Sequence, residues 1–568
     1  MKYEIIGAEG VSLSFEESFV GDITYLQVKM ATDTPEVPRE FRIEWLEPVC
    51  ENHSFWGPCV GTLRHLAADW GPRATDARIA SGAPVHAVIS NEGRNRTTIA
   101  ISDPKIPTKI STGVDENKAE MRYKVAFFTN PTTPIDSYEA IVRIDRRDIN
   151  YCDALRDAEK WWSADCGYES ASVPEHARMP MDSLWYSFHQ DLDFDEILTE
   201  CRLAKEQGLE TVIIDDGWQT LDNNRGYAFC GDWRPVGLPR IAELVGEIHK
   251  LGLKVILWYS VPFLGKHSES FEEFKDYTLY SFFDDTVYVL DPRYKKVREY
   301  LSAFYTEAVG EWKFDGLKLD FIDSFCLGND EGKPTHLRDY QSLEDAVEAL
   351  MEDVKTALCA INPDVMVEFR QSYIGPAIRK YGNMLRAGDC PCDAMANRRS
   401  IIDLRLISGE TAVHSDMLMW SVHDTVESVA IQLASVLFSV PQISVRLDRI
   451  TAEQKKALSY YLEFWKANRD VLLDGTLYAT DPGTVYSKAY SEKDGKAICV
   501  NYEDPTVECK WNSFVVVNCT GGNTIYLDGG KGKSYKTVNC MGETLCEGEI
   551  ASCVEKLSVP RGGMIFIK

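Results

Sequence analysis

Between about residue 180 and residue 475, short apolar runs alternate with amphipathic helical stretches. No other feature of the chain restricts its fold so much. Candidate strands fall at 183–188, 211–215, 254–259, 287–290, 316–321, 365–370, 383–387 and 412–416. Helical periodicity fills most gaps between them, at 194–207, 238–251, 295–311 and 342–361. Parallel strands need a crossover of a dozen or more residues, usually a helix, and eight such units in under 300 residues predict a (β/α)8 TIM barrel. The barrel is expected over 176–474, with a last helix at 452–469.

At 568 residues the chain is too long for that barrel alone. Residues 1–150 read as strands, as at 25–30, 85–90 and 97–102, broken by turn residues such as Glu92-Gly93. They predict an N-terminal β-sandwich. A helical linker is expected at 151–175, including Trp161-Trp162. From 475 to 568 short strands return, at 485–487, 497–501, 514–518, 524–527 and 564–567, and predict a C-terminal antiparallel β-domain.

In such a barrel, chemistry gathers at the C-terminal ends of the strands. The fifth candidate strand, Gly316-Leu317-Lys318-Leu319-Asp320-Phe321, breaks an apolar run with two charges. Lys318 and Asp320 are two apart, so both face the same side. Unpaired charges there are costly, so they need each other, a ligand or solvent. The other strand ends offer Trp185 and Tyr186, Asp215-Asp216-Gly217-Trp218, Trp258, then Glu368, Arg370 and Gln371, then Arg386 and Asp389 with Asp393 beyond, and finally His414 and Asp416. Neither a Cys–His pair at a strand end nor a Gly-rich phosphate loop stands out.

Carboxylates beside indoles suit glycoside cleavage. One carboxylate attacks the anomeric carbon, another protonates the leaving oxygen, and aromatic rings pack on the sugar. Asp320 and Asp389, 69 residues apart, are the candidate pair. Lys318 would keep Asp320 ionised, as a nucleophile requires. Asp389 needs a raised pKa to act as the acid, and negative charge on Asp320 or Asp393 would supply it. Arg386 would oppose that if it touched Asp389. Asp393 is the reserve acid/base.

At these residues the chain resembles glycoside hydrolase family 36, the microbial α-galactosidases of clan D. Leu317-Lys318-Leu319-Asp320 matches the family's Lys-x-Asp nucleophile strand, and Asp215-Asp216-Gly217-Trp218 its galactose-binding turn. Gly231-Asp232-Trp233 resembles the Gly-x-Trp segment that follows, 252–258 the strand ending in a sugar-contacting Trp, and Trp185-Tyr186 the strand-one pair of some members. The resemblance implies a retaining exo-α-galactosidase with Asp320 as nucleophile and Asp389 as acid/base. Substrate would be held by Asp215, Asp216, Lys318, Trp258, Trp185, Tyr186, Arg386, Asp232, Trp233, Arg370 and Gln371. No metal or cofactor is implied. The family's Cys/Ser-Gly-Gly loop is replaced by Glu368-Phe369-Arg370-Gln371-Ser372-Tyr373. Since that loop helps to read the 2-position, an α-N-acetylgalactosaminidase or a raffinose-synthase-like transferase is the alternative. A metal-dependent barrel hydrolase is the more distant one.

The expected partner is an oligosaccharide or glycoside, and a homo-oligomer is allowed. A formal net charge of −27 argues against nucleic acid and anionic membranes as partners. An acidic chain with 13 Trp and 26 Tyr suits sugars. Sixteen scattered cysteines without zinc spacing, and no apolar leader at the start, predict reduced thiols and a cytoplasmic protein.

Overall fold

The computed structural model describes residues 2–7, 11–222, 224 and 226–568. Eight parallel strands form the central sheet. In chain order they are Met181–Ser183, Thr211–Ile214, Lys254–Ser260, Gly316–Asp320, Met366–Arg370, Met384–Arg386, Ala412–His414 and Gln442–Ile443, hereafter barrel strands one to eight. Spatial order follows chain order, strand eight pairs with strand one, and parallel bridges from His414 to Val440 and from Leu418 to Ile443 join strands seven and eight. The ring is the expected TIM barrel.

Three barrel-strand assignments need correction. Residues 287–290 are a strand, but they pair antiparallel with Phe263–Gly265 and Thr278–Phe282 in a small separate sheet. The physical reason lies in the preceding segment: its one helix, Phe271–Phe274, is a single turn, too short for a helical crossover, and the two short strands beside it pair with this run instead. The last barrel strand is instead Gln442–Ile443, two residues long and without a readable period. Strand one is Met181–Ser183, and Trp185–Phe188, expected to extend it, turns into one helical turn. Asp320 therefore ends barrel strand four, Asp389 follows strand six, and His414 and Asp416 belong to strand seven.

Side-chain alternation builds the barrel interior in layers. Met181, Ile213, Ile256, Met366 and Met384 form an apolar floor closed by Ala177. One residue pair higher, strands four to eight turn Lys318, Glu368, Arg386, His414 and Gln442 inward, all buried. Each finds a partner: Gln442 Nε2 donates to Glu368, and His414 Nε2 donates to the Ala177 carbonyl at 2.8 Å. Outward residues such as Leu317 and Leu319 join the apolar layer under the helices.

The N-terminal domain is a sandwich of five- and six-stranded antiparallel sheets, with Trp45 stacked on Tyr123 at 5.3 Å in its core. Helix Tyr151–Ala164 starts on the Asn150 side chain, which accepts from Cys152 N–H at 2.9 Å. It is a wedge rather than a tether: Trp162 Nε1 donates to Ile101 of the sandwich, and Tyr151 OH to Ala479 of the C-terminal domain. That last domain has a seven-stranded sheet and a three-stranded one. The expected strand at 485–487 is absent because Val485 and Tyr486 adopt left-handed backbone, which interrupts extension. A buried cluster joins all three parts, with Arg64 paired to Asp403 of a barrel helix and both Trp56 and Tyr486 donating to Asp403. Among the described residues no helix is long and apolar enough to cross a membrane.

Candidate active site

Barrel strand four delivers Asp320 to the mouth as its last residue, buried to 8% exposure. Its two oxygens differ. Oδ1 accepts from Phe321 N–H at 2.8 Å and from Arg370 Nε, with the Tyr373 hydroxyl 3.4 Å away. Oδ2 accepts from the Trp258 indole N–H at 3.1 Å. Burial pushes the carboxyl up, but Arg370, helped by Lys318, Arg386 and the indole N–H, holds it below the usual range. The group is an anion at neutral pH, as expected. Its direct cationic partner, though, is Arg370 and not Lys318.

Lys318, two residues earlier, turns its ammonium to Asp215 Oδ2 at 2.6 Å, and both side chains are buried. Burial alone would lower its pKa, but Asp215, with Glu368 and Asp320 behind it, raises it above the ordinary value. Asp215 directly follows strand two and also takes the N–H of Asp216 at 2.9 Å. Asp216 is held from both sides, by Gln190 Nε2 at 2.7 Å and Gln219 Nε2 at 2.6 Å. Burial raises it to about 6, with neighbouring Asp215 adding to the rise against those two amides. The turn can be this tight because Gly217 sits at φ +120° against the Gln190 backbone, where a Cβ would lie 2.6 Å from Cα.

Arg386 ends strand six and is saturated with acids. It meets Asp416 at 2.6 Å, Asp389 at 2.9 Å and Glu368 at 3.5 Å. Asp389 is exposed on the rim. Burial on its inner side raises it, but Arg386, together with Lys318 and Arg370, holds it below the ordinary carboxylate value. The upward shift expected for an acid is absent without substrate, for the reason foreseen: Arg386 touches it. Asp393 caps helix Ala394–Ile407 through Ala396 N–H at 2.9 Å.

The remaining candidates divide. Trp258 is 2% exposed, so it offers the mouth its N–H rather than an open ring face. Trp185 is half-buried, edge-on to His189, and Tyr186 OH donates to Asp416 at 3.2 Å. Gln371 ties loops together, donating to the Pro58 carbonyl and accepting from Gly388 N–H. Asp232 and Trp233 lie behind the residues that hold the mouth's charges, with Trp233 edge-on to Trp258 at 6.2 Å. Asp232 accepts from Glu269 N–H and Ser270 N–H, bracing a loop, and Trp233 is buried against Trp218 and Tyr259. His414 is neutral, pushed to about 4 by burial.

Several groups escaped sequence reasoning. Gln190 and Gln219 hold the Asp-Asp-Gly-Trp turn; Gln219 directly follows it in sequence, whereas Gln190, 26 residues from Asp216, is brought there only by the fold. Tyr227 lies against Phe321 and Trp258, and its hydroxyl is raised by burial and then by Asp216 and Asp320. Asp323, by contrast, is a carboxylate that the sequence already places beside Asp320; it is raised by burial and accepts from Ser372 Oγ. The N-terminal domain supports this side of the mouth. Gly82 N–H donates to Ser372 O at 2.7 Å, and Arg78 donates to the carbonyls of Asp323 and Phe325.

The same three-part architecture is found in the α-galactosidase AgaA of Geobacillus stearothermophilus. The TM-score is 0.66 at 14% identity, covering 98% of this chain and 81% of that one. The chain has the family 36 fold and resembles its α-galactosidases. The Lactobacillus brevis α-galactosidase superposes with TM-score 0.65 at 13% identity over 98% of this chain and 79% of that one. The Thermus thermophilus enzyme TtGalA, solved with stachyose, gives 0.57 at 17% identity over 79% and 99%. In sequence, α-galactosidase Mel36A of Lactobacillus acidophilus is 29% identical over 149 residues, 24% of this chain and 20% of that protein. No protein-family model matches the chain. The sequence match thus spans a fifth of that relative's length, and the family 36 likeness over the whole chain is one of fold.

Proposed function

We infer that the chain is a retaining exo-α-galactosidase acting on terminal α-galactosyl residues of oligosaccharides. One observation carries this. An ionised Asp320 sits at the end of a barrel strand, with the buried Lys318–Asp215 pair, Asp216 and the Trp258 N–H around it. This is a nucleophile beside acceptors and donors for sugar hydroxyls. The related structures solved with stachyose support the substrate class.

In the first step an oxygen of Asp320 bonds the anomeric carbon. The glycosidic bond breaks, and its electron pair goes to the leaving oxygen, which takes a proton from Asp389. In the second step Asp389 removes a proton from water, the water oxygen bonds the anomeric carbon, and the bonding pair returns to Asp320. Asp389 must be protonated for the first step. The leaving sugar would displace water from its exposed rim position and raise its pKa.

Arg370, Gln371 and Ser372 occupy the stretch where family 36 carries its Cys/Ser-Gly-Gly loop. This favours, as a second reading, a different substituent at the 2-position or transfer to a sugar acceptor. A panel of aryl α-glycosides, with the product anomer followed by NMR, tests both. The expected outcome is turnover of the α-galactoside with the α-anomer released first. Asp320→Asn should lower turnover by more than about a thousandfold. Near-normal turnover by that variant would remove Asp320 from the mechanism.

A further inference from the structure

A carboxylate oxygen has two lone pairs in its plane, and the two oxygens of Asp320 use theirs differently. Oδ1 has both engaged, by Phe321 N–H and Arg370 Nε. Phe321, the residue directly after the strand, donates its N–H back to the side chain of its neighbour at 2.8 Å. Oδ2 holds one donor, the Trp258 indole, and keeps one lone pair free. The guanidinium is itself fixed. It donates to Gln371 O at 2.9 Å and lies over the rings of Phe321 and Tyr373 at 5.1 and 5.7 Å. Tyr373 is anchored through Leu319 O at 2.8 Å. Arg370 thus cannot swing away without breaking several contacts.

We propose that Arg370 sorts the two oxygens of Asp320. It pins Oδ1 as the spectator and leaves Oδ2 to bond the anomeric carbon. By favouring the carboxylate over its ester, it also speeds release of the glycosyl group. The inference rests on the glycosidase reading above. A guanidinium stabilises an anion and does little for a neutral ester. It therefore lowers the free carboxylate relative to the glycosyl-enzyme, slowing formation of the C1–Oδ2 bond and hastening its cleavage. Arg370 is a positioning residue in this scheme, acting through Asp320.

The test uses full-length Arg370→Met and Arg370→Lys with 2,4-dinitrophenyl α-galactoside, whose leaving group needs no protonation. For Arg370→Met the expected result is a burst of dinitrophenolate approaching one per chain. It should be matched by a one-glycosyl mass gain that peptide mapping places on Asp320. Steady-state kcat should fall about a hundredfold, and KM should fall with it, leaving kcat/KM within about tenfold of the wild type. Arg370→Lys should restore part of kcat, as should added guanidinium ion with Arg370→Met. Loss of kcat/KM without a burst, at unchanged KM, would overturn the inference while leaving the function standing. A wild type that turns over no glycoside, and takes no glycosyl group on Asp320, would overturn the function and this inference together.

Discussion

Asp216 offers a sharp test because its environment fixes a titration in an accessible range. Burial and the adjacent Asp215 move its carboxyl from an ordinary 3.8 to about 6, against the pull of two amide donors. That displacement equals about 3 kcal/mol in favour of the neutral form. An ionised Asp216 accepts hydrogen bonds from sugar hydroxyls, whereas a neutral one presents a donor. Below pH 6 the free protein carries the wrong form, so kcat/KM should fall tenfold per pH unit. Asp216→Asn removes the titration and the charge-assisted bonds, which are worth about 1.5–3 kcal/mol. At pH 7–8 the variant should be slower by roughly 10- to 150-fold. Its acid limb should move down to that of Asp320, so at pH 5 the gap should narrow about tenfold.

The assay is kcat/KM for an aryl α-galactoside from pH 4 to 8, with thermal melts alongside. The melts carry a linked sign. Between 3.8 and about 6 the folded protein retains a proton that the unfolded chain has lost, so stability declines as pH rises through that window. Asp216→Asn should flatten the decline. An inflection near pH 6 that survives in the variant would refute the reasoning.

Three further outcomes follow from buried or rim charges. Lys318→Met strands Asp215 without its cation and should destabilise the fold by about 3–5 kcal/mol, with partial recovery in the double variant with Asp215→Asn, read by denaturant midpoints. Glu200, buried on the helix behind barrel strand one and pushed by burial to about 7, lies beside the fully buried Asp182. The folded protein keeps Glu200 protonated after the unfolded chain has ionised, so stability should fall by roughly 3 kcal/mol between pH 4.5 and 7. Glu200→Gln should abolish most of that loss in melts at pH 5 and 8. Asp389→Asn should cut turnover of unactivated galactosides at least a hundredfold and leave the first step on a dinitrophenyl galactoside nearly unchanged. Equal losses on both substrates would assign the acid role elsewhere.

Periodicity revealed the barrel because each of its long helices repeats a strong signal, and the Lys-x-Asp interruption exposed one of the two strands that carry a pair of charges to the mouth. What sequence could not show was pairing direction. Val287–Leu290 has the composition of a barrel strand, and only the missing crossover helix places it outside. Gln442–Ile443 is too short for any period yet closes the ring, and its Gln442 side chain supports Glu368. Within the site, residue types were readable but partners were not. Lys318 and Arg370 both bring positive charge to Asp320, and nothing in their spacing says that Lys318 turns to Asp215. Asp232 and Trp233 lie in a suggestive motif, but the loop fold commits one to backbone amides and buries the other.

The cluster of Arg64, Asp403 and Tyr486 sets a schedule as well as a contact. Arg64 bonds a tyrosine that lies 422 residues further along the chain. At about 5–20 residues per second, the ribosome delivers that partner roughly 20 to 80 s after Arg64 itself. Until then the sandwich must exist with a guanidinium that its finished structure buries. The sandwich is therefore made long before this buried contact can close, and it waits for a residue that the C-terminal domain supplies.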